Sequence, residues 1–181
     1  MPLVSVDAQT LPTVHTTDAL TLVSDSGVVR YRVGAKVWDM YSKAAEPYSY
    51  FPEGIHVEQF DSLFRADGSI IADTAYYFER KELWRAIGNV VVTRTDGTTF
   101  ETHELFWNSK APANDGNAFY TFQMVKITKP DGSFMYGQNG FRSNQALSPI
   151  VLFSGKGDIL VTESTDSIQQ NTVPPDSLAR P

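Results

Sequence analysis

The three histidines are the first residues to consider in a search for chemistry. His15 precedes the predicted strands, while His56 and His103 lie on two different strands. None has a second histidine at metal-ligand spacing, and neither H-E-x-x-H nor G-x-S-x-G occurs in the chain. The chain has no cysteine, which excludes disulfides, thiolate metal sites and a cysteine nucleophile. We therefore interpret the histidines as polar strand residues and predict no metal site.

Glu53, Glu58 and Asp61 form an acidic cluster of the kind that a glycoside hydrolase uses as its carboxylate pair. Glu58 and Asp61 are three residues apart, so a regular strand would direct them to opposite faces. Solvated charges on a strand and its turn explain the cluster better. We predict a protein that is not an enzyme and has no cofactor. A carbohydrate-binding or glycan-hydrolysing jelly roll stays as the alternative function.

Short segments rich in β-branched and aromatic residues are the elements that must position any site. Asp67-Gly68, Asp96-Gly97 and Asp131-Gly132 lie between such segments, and each predicts a hairpin with a type I′ turn. We find no convincing helical periodicity, so we predict an all-β antiparallel sandwich or jelly roll. The predicted strands cover residues 19–24, 28–37, 55–64, 69–78, 82–87, 89–94, 98–108, 118–128, 133–136, 140–143, 150–153 and 159–162.

Length and charge narrow the class of protein. The chain of 181 residues, 41% of them hydrophobic, fits one domain with a sizeable core. Its net charge of -6 argues against nucleic-acid binding. No apolar run approaches the roughly 20 residues of a membrane span, and the N-terminus is not an intact signal peptide. We predict a flexible lead-in over residues 1–17, a single domain over 18–163 and a disordered polar tail over 164–181.

Aromatic residues are abundant, with 11 Phe, 8 Tyr and 3 Trp. Ordinary core packing is the simplest explanation for any single ring. Residues 119–125, however, are apolar on both predicted faces. A sheet pair with a partly open interior could use such side chains to hold an acyl chain.

Six stretches of the chain together resemble a known family. They are residues 50–61, 70–78, 81–84, 88–92, 104–108 and the signature Gly137-x-x-Gly140-Phe141-x-Ser143-Asn144-Gln145. Taken in order between Pro47 and Val161, they are similar to LptC, the periplasmic component of lipopolysaccharide export, in its Bacteroidetes form. The resemblance implies an elongated, twisted antiparallel β-jellyroll related to LptA, without a catalytic residue.

The same resemblance implies a location and a set of partners. Family members lie on the periplasmic side of the inner membrane and are anchored in the full-length protein. They take lipopolysaccharide from the subunits of an ABC transporter and pass it to an LptA-like bridge protein. Acyl chains need such shielding, because each CH₂ exposed to water costs about 0.8 kcal/mol.

Strand alternation suggests which side chains would contact the lipid. The predicted lipopolysaccharide-binding residues are Ile70, Ala72, Tyr76, Phe78, Val90, Val92, Phe106 and Phe122. Ile159, Leu160 and Val161 form a predicted edge strand after a turn at residues 154–158. This strand carries no charge or proline that would block pairing, and the resemblance implies that LptA docks there, edge to edge.

Overall fold

The computed structural model describes residues 10–153 and 159–161. Regular structure in this part of the chain is β-strand, apart from one 3-10 turn at Glu79–Lys81, which confirms the all-β prediction. Every strand pairing is antiparallel. The strands are β1 (Val14–Asp25), β2 (Val28–Tyr41), β3 (Tyr48–Phe51), β4 (Ile55–Phe60), β5 (Ala66–Ala72), β6 (Thr74–Phe78), β7 (Leu83–Arg94), β8 (Thr99–Asn108), β9 (Phe119–Thr121), β10 (Val125–Thr128), β11 (Phe134–Gly137), β12 (Phe141–Ser143), β13 (Ile150–Leu152) and β14 (Ile159–Val161).

The fourteen strands found in the described residues form one jellyroll-like sheet. Eleven of them follow the order β14-β13-β12-β9-β8-β7-β5-β4-β2-β3-β6, while β1 pairs with β2, β10 with β8, and β11 with β10. An additional pairing of β6 with β7 closes the ring β2-β4-β5-β7-β6-β3. The long strands β2 and β7 each pair with two different strands along their length. One half of β2 pairs with β4 and the other half pairs with β3. In the same way the first half of β7 pairs with β6 and its second half pairs with β5. The sheet therefore folds over into two layers that share these strands.

A bend at Asp73 and a bulge at Gly88-Asn89 allow this change of layer. Gly88 and Asn89 have φ angles of 79° and 44°, and the register between β7 and β8 shifts at this point. The Asp73 N–H donates to the Gly88 carbonyl at 2.9 Å, and Asn89 Nδ2 donates to Asp73 Oδ2 at 2.8 Å. A Cβ at position 88 would lie 2.7 Å from that carboxylate oxygen, so glycine is required by its φ and by the close approach.

Two cross-strand rows of apolar side chains form the core. In the first layer the row runs from Val33 through Val57, Ile70 and Val92 to Phe100. In the second layer it runs through Phe51, Ala75, Ala86 and Leu105. Residues of both rows surround the same small internal gap, so the two layers pack face to face.

The Asp-Gly turns differ from the prediction in detail. Asp96-Gly97 and Asp131-Gly132 do close hairpins, but only their glycines have positive φ, 87° and 85°. Type I′ needs positive φ at both central residues, so these are type I turns followed by a glycine bulge. Asp67-Gly68 is not a turn, because both residues lie within β5. The hairpin prediction at that position is wrong.

Several predicted boundaries also change. Residues 14–17 pair with residues 37–40 in β2, so the prediction of a flexible lead-in is wrong for them. The predicted strand 69–78 is split at Asp73, and 118–128 is split by residues 122–124. Strand β3 was not predicted. The two predicted strands at 82–87 and 89–94 form the single strand β7. The rest of the lead-in up to residue 9, the turn at 154–158 and the tail at 164–181 lie outside the described residues.

Candidate functional site

A cleft of about 550 Å³ opens between the two layers. All three tryptophans of the chain, Trp38, Trp84 and Trp107, line it. The remaining aromatic lining consists of Tyr31, Phe51, Phe60 and Tyr77. A volume of this size lies within the range of about 300–1,000 Å³ that is typical of small-molecule sites. The chain therefore has an apolar cleft large enough for a ligand.

Successive ring contacts form the wall of the cleft, which we call the inner aromatic row. It consists of Trp38, Phe51, Trp84 and Trp107. Trp38 packs on Phe51 with 5.4 Å between ring centroids, and Phe51 stacks on Trp84 at 5.7 Å. Trp84 stacks on Trp107 at 6.1 Å. These contacts fix the ring orientations, so the wall is preorganised before any ligand enters.

Gln145 holds the most buried of these indoles in place. Trp107 is only 3% exposed, and its Nε1–H donates to Gln145 Oε1 at 3.0 Å. Gln145 Nε2 in turn donates to the carbonyl oxygens of Asn108, at 2.7 Å, and Ala111. The glutamine thus satisfies a polar group at the cleft and ties the loop after β8 to it.

The two tyrosines of the cleft are neutral at neutral pH. Burial raises the pKa of the Tyr31 phenol above its ordinary value, and burial does the same to the pKa of Tyr77. Tyr31 meets Trp107 edge-on at 5.2 Å, and Tyr77 packs on Trp84 at 4.7 Å. The interior therefore presents uncharged, mostly apolar surface.

Charged side chains occur in the cleft lining beside this apolar interior. Asp25 and Arg30 come from the β1–β2 hairpin, and Lys110 comes from the loop after β8. A smaller cavity of about 260 Å³ adjoins the cleft, since both are lined by Val57, Gln59, Trp107 and Gln145.

Four of the eight predicted lipid-contacting residues are buried on the inner side of the sheet. Ile70, Ala72, Val90 and Val92 all belong to the core. Ile70 and Val92 also line the smaller cavity, whereas Ala72 and Val90 line neither cavity. The alternation of these side chains was thus assigned to the correct side.

Tyr76 and Phe78 do not share a face with Ile70 and Ala72. The bend at Asp73 shifts the alternation by one residue, so that Ala75 is buried and Tyr77 lines the cleft. Tyr76 instead stacks on Tyr50 at 4.6 Å on the outer side, with Phe78 as its next neighbour at 6.2 Å. The prediction that both residues line the interior is wrong.

Phe106 and Phe122 also lie on the outer side. Phe106 stands between the buried residues Leu105 and Trp107 and stacks on Tyr120 at 5.0 Å. Phe122 is 67% exposed and follows the buried Thr121. Strand alternation directs Phe106 away from the core, and Phe122 lies exposed in the bend that follows β9. The assignment of both residues to the lining is wrong.

Ile159, Leu160 and Val161 form β14, which is the last strand in the sheet order. Leu160 is opposite Val151 of β13 and is 61% exposed. Within the described residues β14 has β13 as its single neighbour, so its other side is an edge.

The residues considered for catalysis are used in separate local contacts. Glu58 pairs with Arg32, and Asp61 pairs with Arg65. Backbone and side-chain donors of Arg65 lower the pKa of Asp61, the opposite of what a general acid needs. His56 and His103 are exposed on their strands. Residues 10–153 and 159–161 contain no group of three or more potential ligands that could hold a metal ion.

The glycine signature has a structural explanation. A Cβ at Gly140, whose φ is 98°, would lie 1.9 Å from the Thr121 carbonyl oxygen. A Cβ at Gly137 would lie 2.9 Å from the Val125 side chain. Both glycines allow β9, β10 and the turn before β12 to approach closely. The signature therefore maintains the fold, and through Gln145 it also shapes the cleft.

Sequence reasoning missed Tyr31, Trp38, Phe51 and Tyr77. Three tryptophans in a chain without a catalytic motif were a usable signal, because large rings often line binding cavities. Glycine within a strand pattern, as at Gly88, also indicates a bulge, and the buried positions of the facing strand β8 change parity across it, from Phe100 to Leu105.

Comparison with known proteins gives no family. No protein-family model matches the chain, and none of the curated proteins matches it. No helix in the described part of the chain has the length and apolar character needed to cross a membrane.

Proposed function

We propose that this protein is a non-enzymatic lipopolysaccharide carrier that accepts the lipid from an inner-membrane ABC transporter and passes it to a periplasmic β-jellyroll bridge. The observation that supports this most is the cleft walled by the inner aromatic row. Its neutral aromatic surface suits acyl chains, while the polar sugars would stay at the opening. The sequence resemblance to LptC adds the lipid's identity, the partners and the periplasmic location.

Intrinsic fluorescence tests the proposed cleft directly. Every tryptophan of the chain lines it, so an acyl chain entering the cleft must change the environment of the emitting indoles. We expect purified lipopolysaccharide or lipid A to shift or quench the emission saturably, and the lipid to be recovered chemically unchanged. Photo-crosslinking from position 31 should capture the lipid, and crosslinking from position 106 should not. Emission unaffected by lipid, or crosslinking from position 106 alone, would contradict the proposal.

Transfer to the bridge protein would use the edge of β14. Replacing Leu160 by Pro removes a backbone N–H and disturbs the short strand, so an added strand can no longer pair regularly. We expect Leu160→Pro to keep lipid binding but lose capture of an LptA-like protein. Leu160→Ala, which keeps the N–H, is the matched control. Normal capture by a folded Leu160→Pro variant would place docking elsewhere.

Carbohydrate binding is the second candidate, and exposed outer rings favour it. A sugar platform needs exposed rings, whereas lipid binding needs rings turned inward. Phe122 is 67% exposed and Trp107 is 3% exposed, so the chain has rings of both kinds. The cross-strand rings Tyr50–Tyr76 and Phe106–Tyr120 already stack on one another, which leaves fewer ring faces for sugars. Binding of lipid-free core oligosaccharide that is abolished by Phe122→Ala, with unchanged tryptophan emission, would favour this alternative.

A further inference from the structure

We infer that the ligand of the cleft carries an anionic group, a phosphate ester or a carboxylate, which Arg30 and Lys110 hold at the opening. This inference rests on the proposed function, because it assigns the head group of a lipid whose chains occupy the cleft. It is carried by the position of two cations beside an apolar wall and by their lack of carboxylate partners.

Several cationic side chains are neutralised within the protein. Arg32, Arg65, Lys81, Arg85, Arg94 and Lys126 each have a carboxylate oxygen within ion-pairing distance. Arg30 and Lys110 have no ion pair with any described residue. Both nevertheless line the same cleft, together with a single carboxylate, Asp25. The lining of the cleft therefore has an excess of positive charge in a protein whose net charge is -6.

The smaller cavity shows the opposite arrangement. Its one cation, Arg94, is paired with Asp96 at 3.2 Å, and Asp67 adds a second carboxylate. An anionic head group would thus be repelled there and attracted to the opening of the larger cleft. The charge distribution gives the lipid an orientation, with its chains along the inner aromatic row and its charged end between the β1–β2 hairpin and the loop after β8.

The chemistry of the two side chains suits an anion. Arg30 is half-buried, so its guanidinium is partly removed from water and can donate two parallel hydrogen bonds to a phosphate or carboxylate. Lys110 is exposed and contributes a point charge from a different element, the loop after β8. A neutral sugar head group could accept hydrogen bonds from them but would gain no ion pair.

Three probes with the same chain length test this assignment: dodecyl phosphate, dodecanoate and the neutral dodecyl maltoside, each below its micelle concentration. Tryptophan emission measures their affinity for the full chain and for an Arg30→Gln/Lys110→Gln variant. We expect the variant to lose about tenfold in affinity for one or both anions. Its affinity for the maltoside should stay unchanged, because the aromatic wall is intact. The anion that loses more identifies the preferred head group.

Lys36→Gln/Lys43→Gln is the matched control, because it removes the same charge from exposed positions outside the cleft. Equal losses in this control would show a general charge effect and overturn the assignment. So would equal losses for the anions and the maltoside, or anion affinities that do not change in the cleft variant. If none of the three probes binds the wild-type chain, the acyl-chain site itself is refuted and both proposals fail.

Discussion

The inner and outer faces of β7, β8 and β9 use aromatic side chains in opposite ways. On the inner face Trp84, Trp107 and Phe119 are cross-strand neighbours. On the outer face the adjacent positions place Arg85 beside Phe106, and Phe106 beside Tyr120. The strands and their register are the same for both rows, so any difference between the faces comes from what covers them.

The outer row is self-contained. Phe106 and Tyr120 stack nearly parallel at 5.0 Å, and the Arg85 guanidinium lies 5.8 Å from the Phe106 ring centroid while pairing with Glu104. The inner row instead faces the first layer across unfilled volume. An aromatic-rich strand therefore does not by itself indicate a binding site. A site needs rings whose free faces border a space that the opposite layer leaves open.

The largest effect that separates the faces is expected from Trp107→Ala. This indole is almost fully buried, stacks on Phe119 at 5.6 Å and donates to Gln145, so its removal leaves a cavity and an unpaired amide. We expect the free energy of unfolding to fall by about 3–5 kcal/mol, measured by urea denaturation. A loss below about 1 kcal/mol would show that the inner face is not a packed wall.

A charge on each face sharpens the comparison for ligand binding. Trp84→Asp places a carboxylate in the apolar cleft, and we expect the affinity for dodecyl maltoside to fall at least about tenfold. Phe106→Asp is the control on the neighbouring strand. Alternation read from the sequence placed Phe106 among the lipid-contacting residues, but its outward position now predicts unchanged affinity in the Asp variant. Equal losses from Trp84→Asp and Phe106→Asp would contradict the assignment of the faces.

Phe106→Ala tests how much the outer row contributes to stability. The variant loses one parallel ring contact and the contact with Arg85, while no core volume is emptied. We expect the free energy of unfolding to fall by about 1–2 kcal/mol, with tryptophan emission unaltered. A loss as large as that of Trp107→Ala would mean that the outer row is as tightly packed as the core.

The smallest effect is expected in a turn far from both rows. Hydrogen bonds from the Ser133 hydroxyl and backbone N–H lower the pKa of Asp131. A carboxylate with a lowered pKa adds stability above its unfolded pKa of about 4 and loses it as the pH falls through the folded value. We expect Asp131→Asn to melt slightly below wild type at neutral pH, and the difference in melting temperature to shrink as the pH falls through the lowered pKa of Asp131. A difference that persists in acid would assign the effect to the turn geometry.

Much of the architecture could be predicted from local sequence. β-branched and aromatic segments punctuated by Asp-Gly identified most strands, and hairpins form at Asp96-Gly97 and Asp131-Gly132 because glycine there adopts positive φ. The Gly137 and Gly140 signature was recognised as a pattern, although its reason is a backbone approach between distant segments. The short strand β3 escaped detection, since its few residues give too little periodicity.

The candidate site could be predicted only in part. The prediction assumed that inward and outward side chains alternate regularly along each strand, and this alternation reverses at two positions. Ile70 and Ala75 are both buried although they are five residues apart, with the bend at Asp73 between them. Phe100 and Leu105 are likewise both buried across the register shift between β7 and β8. One irregular residue inverts every later side chain of a strand. Ile70 and Val92 were therefore assigned correctly, while Tyr76 and Phe106 were not.

The sequence by itself determined the strand-forming segments and the glycines that the turns need. It also determined an aromatic content higher than a small core requires. These are local properties of backbone φ and side-chain shape. Tertiary structure alone decided which rings face the cleft and which cations remain unpaired. Burial, stacking and ion pairing depend on strands that are distant in the chain. Arg32 pairs with Glu58, for example, whereas Arg30, two residues earlier, has no ion pair with a described residue. That difference follows from the strand register, because Arg32 is directly opposite Glu58 of β4, whereas Arg30 precedes the part of β2 that pairs with β4.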